Sequence, residues 1–363
     1  MSESVGESLH HVTAGIPVEL IRWNRSRLVE VAVRGPSSRD VRGLGRRQVL
    51  VAGAVLGVGA LTGGPRPVAD EVVAGMRTSF ERLRDKGLRA SPQEVLEPLR
   101  ALQRTVYGLA RETSGPVGTR LVLLAARIAE YTGWMCQEAG DEQGALWWTR
   151  HASELSRAAG DPDITSHAFA REAGLALYRR DASATITLAR QAQRIGRAGS
   201  RVLALAVRRE AQGHALAGDR AAAERAFDRA ANQMPSAVPD SPYPVLGSSV
   251  PDPLELARGW ALSDLGLHTE AAAVLDEQLT LVPASSRRTL ARFRTRRSLA
   301  LALSGEVDES CRTIARALDD VAHVDSATVR TDLRQLSRTL GRWHNHGAVR
   351  EVYPDLRRQL THR

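Results

Sequence analysis

Histidine, cysteine and serine, the side chains that most often carry out catalysis or bind metals, do not come together in a recognised motif in this sequence. The G-x-S-x-G motif of serine hydrolases and the H-E-x-x-H motif of zinc enzymes are both absent from its 363 residues. His344 and His346 lie close together, but no third ligand follows at a spacing typical of zinc sites. We therefore expect no catalytic residues, no metal site and no enzymatic activity.

The cysteines and glycines exclude further classes of site. Cys136 and Cys311 are the only cysteines and lie 175 residues apart, which excludes a disulfide scaffold and a structural zinc site of the usual spacing. Cys136 falls on a helix that is predicted to be packed, and we interpret it as a buried structural thiol. The glycines that begin at Gly57 do not complete G-x-G-x-x-G, because Thr62 takes the last place. No cofactor is expected.

Arginine is the most abundant charged side chain. The chain has 50 lysines and arginines against 41 acidic residues, a formal net charge of +9, and Lys86 is its only lysine. This excess indicates either contacts with nucleic acid or another anionic surface, or the arginine preference of a GC-rich genome. The densest cluster, called here the arginine run, has no acid between Ser285 and Ser298. We interpret it as a solvated helix face or as a site for an acidic partner or phosphates. Its members are Arg287, Arg288, Arg292, Arg294, Arg296 and Arg297.

The elements that must position these side chains recur along the chain. Hydrophobic residues make up 43% of the sequence and aromatic residues 4%, a balance that favours helices over strands. Five turns follow one another at spacings of 40, 38, 48 and 39 residues: Gly140-Asp141, Arg180-Asp181, Gly218-Asp219, Gly266-Leu267 and Gly305-Glu306. The Pro-rich stretch 235–253 lies in the longest interval and is predicted to be a loop.

Small and larger residues are placed regularly around each turn. Seven residues before it stands a small residue: Gly133, Ala173, Ala211, Gly259 or Ser298. Nine residues after it stands Thr149, Ala189, Phe227, Leu275 or Ile314. Small residues let two antiparallel helices approach closely, and larger ones fill the space between successive pairs. Since each pair leaves one apolar face open, the pairs must stack into an all-α solenoid.

Two of these repeats resemble the tetratricopeptide repeat. Its small, turn, aromatic and proline positions are taken in one repeat by Ala211, Gly218, Asp219, Ala223, Phe227, Ala230 and Pro235, and in the other by Trp260, Gly266, Ala271, Leu275 and Pro283. The resemblance covers about residues 120–325 and implies a tetratricopeptide-like α-solenoid of antiparallel helix pairs. The spacing of 38–40 residues exceeds the family's repeat of about 34 residues, which implies longer helices or loops.

On solenoids of this family, the first helix of each pair lines a concave groove. The positions that carry over to this sequence are Arg127, Glu130, Trp134, Gln137, His167, Arg208, Gln212, Trp260 and Arg292. In such a groove amides bond a peptide backbone, arginines bond its carboxylates and tryptophans contact its apolar side chains. The alternative interpretation is that these are ordinary surface residues.

The chain divides into an N-terminal segment (1–45), expected to be partly disordered, an Arg-Arg apolar segment (46–67) and the helical repeat domain (68–363). In the first segment, residues 14–27 resemble the second half of a helix-turn-helix, in which trailing arginines meet DNA phosphates. Those arginines are Arg22, Arg25 and Arg27. The alternative is a short basic amphipathic helix without a DNA contact.

The Arg-Arg apolar segment has two interpretations. Arg46-Arg47 followed by VAGAVLGVGALTGG looks like a twin-arginine export signal, and the same pattern also links helix-turn-helix and repeat regions in bacterial regulators. The apolar stretch 49–62 has about 14 residues, fewer than the roughly 18 to 20 that a membrane-spanning helix needs.

The whole arrangement is similar to the repeat-bearing bacterial regulators of the xenobiotic-response-element type. This similarity implies a cytoplasmic, transcription-related regulator whose solenoid binds a peptide or protein partner. It also makes DNA and a second copy of the chain candidate partners, and no small-molecule substrate is expected. The alternative function is an exported or membrane-tethered repeat scaffold that uses residues 46–64.

Overall fold

The computed structural model of the protein describes residues 70–234 and 252–361. The predictions for Arg22, Arg25 and Arg27, for the Arg46-Arg47 pair and for residues 235–251 lie outside the described residues. Within them, fourteen α-helices and one short 3₁₀-helix form the fold, and no β-strand is found. The prediction of an all-α fold built from helix pairs is confirmed.

Two helices precede six helix pairs. The leading helices are α1 (Asp70–Gly87) and α2 (Gln93–Glu112), which pack on each other and on the first pair. In each pair the two helices pack against each other after a short turn. The pairs are α3–α4 (Gly115–Ala139, Glu142–Ala159), α5–α6 (Pro162–Tyr178, Ala182–Gln193), α7–α8 (Ser200–Leu216, Arg220–Gln233), α9–α10 (Pro253–Asp264, His268–Thr280), α11–α12 (Arg287–Ser304, Val307–Val324) and α13–α14 (Ala327–Leu340, Gly347–Thr361).

The five predicted turns are all present between the helices of a pair. Each has one residue in the left-handed backbone region, with φ between 59° at Arg180 and 93° at Gly305. At three of them the following aspartate caps the second helix; Asp141, for example, accepts a hydrogen bond from the backbone N–H of Gly144 at 2.7 Å. These local interactions end one helix and begin the next, so the repeat period follows from the turn residues.

The small positions let the two helices of a pair approach closely. A Cβ atom at Gly133 would lie 3.0 Å from Oγ1 of Thr149, and one at Gly259 would lie 2.6 Å from Cδ2 of Leu275. In both pairs the small residue before the turn thus meets the residue nine positions after it, as the spacing predicts. Buried apolar side chains fill the space between pairs; Phe227 and the alanines around it form one such cluster.

Pro253 corrects the predicted loop boundary. It lies within the predicted loop 235–253, but it is the first residue of α9 and is buried. Proline fits there because the first N–H groups of a helix have no intrahelical acceptor. Asp252 caps this helix by accepting two backbone N–H bonds of 2.9 and 3.0 Å.

The first helices of the pairs form an inner layer. α5 contacts α3 and α7, α9 contacts α7 and α11, and α11 contacts α13. α13 in turn contacts α3, so the first pair and the last pair meet through this layer. We call the side chains that these six helices direct toward one another the inner face. None of the helices in the described residues is both long enough and apolar enough to cross a membrane.

Candidate functional site

All nine residues predicted to line a groove lie on the first helices of the pairs, from α3 to α11. Six of them are partly exposed: Arg127, Glu130, Trp134, Arg208, Trp260 and Arg292. The other three are buried, since Gln137, His167 and Gln212 are 9%, 4% and 1% exposed. These three therefore present little surface to a partner, and their contacts lie with neighbouring side chains.

Glu130 and Gln137 of α3 meet α5. His167 Nε2 lies 3.2 Å from Oε1 of Glu130, and Arg171 Nη2 donates to Oε1 of Gln137 at 3.1 Å. Burial alone raises the pKa of Glu130, but the hydrogen bond and charge of His167, with the nearby Arg171, bring it to about 2. Burial lowers the pKa of His167, against the opposing effect of Glu130. The pair joins the inner helices of the first two repeats.

Glu138, which is fully buried, joins α3 to α11 and α13. Arg288 Nη1 donates to its Oε2 at 3.0 Å, and Arg292 Nη2 bonds its Oε1. The hydroxyls of Ser326 and Thr328 donate to the same carboxylate at 2.6 and 3.2 Å. Burial raises the pKa of Glu138, but Arg292 and Arg288 outweigh burial and bring it to about 2. The carboxylate is therefore ionised and saturated with donors.

Both tryptophans of the predicted groove are engaged within the domain. Trp134 Nε1 donates to Oε1 of Glu138 at 3.2 Å, and the Arg288 guanidinium lies 5.9 Å from its ring centre. The guanidinium of Arg296 lies 3.3 Å from the ring centre of Trp260, a cation–π contact that covers one face of the indole. Trp260 thus offers a partner less apolar surface than the sequence predicts.

The predicted solvated face of the arginine run is wrong for Arg288 and Arg296, which are 2% and 6% exposed. All six arginines pair with carboxylates that lie elsewhere in the chain. Their acidic partners are Glu138, Glu309, Asp319, Asp320, Asp332 and Asp276. The run is therefore a set of internal ion pairs, and its charge is not available as a whole to a partner.

On α7, unlike α11, two arginines of the inner face bond uncharged acceptors. Arg208 Nη1 donates to the backbone oxygen of Pro253 at 3.2 Å, and Arg209 Nη1 donates to Oε1 of Gln212 at 2.8 Å. Both acceptors are neutral. Burial lowers the pKa of Arg208 to about 10, and the nearby Arg201 adds to that effect. The inner face of α7 is thus strongly cationic.

The sequence interpretation does not name Arg171, and it names Arg288 and Arg296 only as members of the arginine run. Arg171 lies four residues after His167, and Arg288 and Arg296 lie four residues before and after Arg292. Because residues four apart share a helix face, extending each predicted position by one turn identifies them. Glu138 lies four residues after Trp134, so the same extension identifies it as well.

The described residues contain no group of three or more histidine, cysteine, aspartate or glutamate side chains placed to hold a metal ion. Cys136 is fully buried, as predicted, and burial raises the pKa of its thiol to about 11. Such a thiol stays protonated at neutral pH and is a poor nucleophile.

No protein-family model matches the chain, and no curated protein sequence matches it at a significant level.

Proposed function

We propose that the repeat domain is the ligand-sensing part of a regulatory protein and that its inner face binds a peptide or a segment of a partner protein. The supporting observation is a pair of buried N–H groups, on partly exposed side chains, without an acceptor among the described residues: Arg208 Nε and Arg292 Nε. A buried donor that lacks its hydrogen bond costs about 1–3 kcal/mol. A bound peptide relieves this cost by offering its backbone carbonyls.

The charge of the same face selects among peptides. Arg127 and Arg208 are partly exposed, and guanidinium groups bind carboxylates with two parallel hydrogen bonds. Peptides with acidic side chains are therefore the preferred class. The exposed edge of Trp134 adds an apolar contact.

A role in transcription is the second part of the proposal. It rests on the helix-turn-helix resemblance of residues 14–27, where Arg22, Arg25 and Arg27 supply contacts to DNA phosphates. In this arrangement the N-terminal segment acts on DNA, and occupancy of the repeat domain regulates it.

Peptide selection tests the ligand-sensing role. A phage-displayed library of random short peptides is selected on the intact protein, and enriched peptides are titrated against Arg208→Ala, Trp134→Ala and the exposed outer control Arg225→Ala. We expect each inner-face variant to weaken binding about tenfold or more, which is about 1.4 kcal/mol. The control should bind like the wild type, and circular dichroism confirms that all variants are folded.

Two results contradict the proposal. One is a selection that enriches no acidic or amphipathic peptide. The other is a set of peptides that bind all three variants as tightly as the wild type, because such peptides contact some other surface.

A further inference from the structure

Arg208 and Arg209, adjacent on α7, carry charge that nothing in the described residues neutralises. Their hydrogen bonds go to the Pro253 carbonyl and the Gln212 amide, both uncharged. Two carboxylates of the inner helix α3 are already engaged: Glu130 faces His167 and Arg171, and Glu138 binds two arginines of α11. Two positive charges thus stay uncompensated among the described residues.

The guanidinium of Arg209 lies against α5. A Cβ atom at Gly174 would lie 3.3 Å from Nη2 of Arg209, so the guanidinium packs on the bare backbone of that helix. Arg171 lies three residues earlier on α5, one helical turn away. The glycine therefore lets arginines from two neighbouring helices approach one another.

The electrostatics of this group are unfavourable in the unliganded state. Burial lowers the pKa of Arg209 well below its usual value, and the charges of Arg208, Arg171 and Arg292 lower it further. Like charges that are partly shielded from water repel one another strongly. Moreover, Nε of Arg171 and Nε of Arg208 are buried without an acceptor among the described residues. An anion supplies both the missing charge and the missing acceptors.

We propose that Arg171, Arg208 and Arg209 form a binding site for a phosphate-type oxyanion on the inner face of α5 and α7, beside the start of α9. A phosphate group carries about −1.5 to −2 charges and three acceptor oxygens. This charge matches the two uncompensated arginines, Arg208 and Arg209, together with Arg171, whose partner Glu130 also pairs with His167. A single carboxylate neutralises one charge and leaves the other. The site does not depend on the proposed peptide, since inorganic phosphate alone fills it.

Titration with inorganic phosphate tests the site. Calorimetry and thermal unfolding are run on the intact protein with millimolar sodium phosphate, and with sodium acetate or chloride at the same ionic strength. We expect phosphate to bind and to raise Tm more than the other salts. Arg209→Gln should weaken phosphate binding about tenfold or more, because one guanidinium supplies paired charge-assisted hydrogen bonds. The exposed control Arg225→Gln should respond like the wild type.

A second readout separates binding from a structural role. Because Arg209 is repelled by its neighbours, Arg209→Gln without phosphate should be at least as stable as the wild type, and a merely structural arginine predicts a lower Tm. Arg209→Lys keeps the positive charge but loses the two parallel N–H donors of the guanidinium. This variant should therefore fold normally and bind phosphate less tightly than the wild type. The proposal is overturned if acetate binds as tightly as phosphate, or if both Arg209 variants bind phosphate like the wild type. It is also overturned if phosphate raises the Tm of every variant equally, because that is the general stabilising effect of phosphate salts.

Discussion

Arg288 of α11 and Glu138 of α3 are 150 residues apart in the chain and form an ion pair of 3.0 Å in which the two side chains are 2% and 0% exposed. Arg288 also donates from Nε to the backbone oxygen of Gly87 at 2.9 Å. One guanidinium thus holds the end of α1 and the first inner helix against the fifth pair. This contact joins the first helices of the described domain to its fifth pair.

Loss of the Glu138 carboxylate should be among the most destabilising changes of charge in the domain. Glu138→Gln removes the counter-charge of the buried Arg288 and of the partly exposed Arg292. Removing one partner of a buried ion pair typically costs about 3–5 kcal/mol of stability. Urea unfolding followed by circular dichroism measures the change.

The matched control is Glu142→Gln, which removes a carboxylate that pairs with Arg179 on the surface, with both side chains at least half exposed. Exposed pairs contribute about 0–1 kcal/mol. Equal unfolding free energies for the two variants would show that the Glu138 network does not stabilise the fold.

Stability should fall in acid because of two carboxylates. The pKa values of Glu130 and Glu138 are both about 2 in the folded protein, against about 4.3 for glutamate in an unfolded chain. Both are depressed on folding, so their contribution is fully present above about pH 4.3 and is lost as the pH falls toward 2. Unfolding free energies measured between pH 7 and pH 2.5 should decline within this window. The decline should be shallower in Glu138→Gln. A slope identical to that of the wild type would show that the Glu138 carboxylate does not cause the loss of stability in acid.

Two glycine-to-alanine substitutions should change the free energy of unfolding in opposite directions. Gly259→Ala places a Cβ atom 2.6 and 2.7 Å from side-chain atoms of the buried Leu275, and overpacking of this kind costs about 1–3 kcal/mol. Gly75→Ala, on an exposed side of α1, meets nothing within 4 Å and should stabilise by about 0.5–1 kcal/mol through helix propensity. Thermal unfolding of the two variants checks both signs, and a neutral Gly259→Ala would mean that α9 and α10 are not closely packed.

The helices and turns were predictable because their signals are local. The turn at Arg180-Asp181 was identified from its spacing alone, and Arg180 indeed adopts φ 59° without a glycine. The turn at Gly160-Asp161, between two pairs, was missed, although Gly160 has φ 72° and Asp161 caps α5. The predicted period counted only turns within pairs.

The ion pairs of the inner face were not predictable from local sequence. The arginine run has no acid nearby in the chain, yet Arg296 finds Asp332 on α13 at 2.8 Å and Arg294 finds Asp320 on α12 at 2.9 Å. Which helix supplies a partner depends on how successive pairs rotate about one another, and that rotation is a property of tertiary packing. Spacing alone therefore identified cationic positions without showing which of them stay uncompensated.

The contact of α13 and α11 with α3 has a consequence for how this chain tolerates change in length. In an open array, a unit is inserted or deleted at little cost because each unit meets only its neighbours. Here the donors around Glu138 come from α11 and α13, so removing one internal pair displaces them from the carboxylate that they must reach. We therefore expect the number of pairs to tolerate less change here than in an open array, because a deletion breaks the bonds to Glu138.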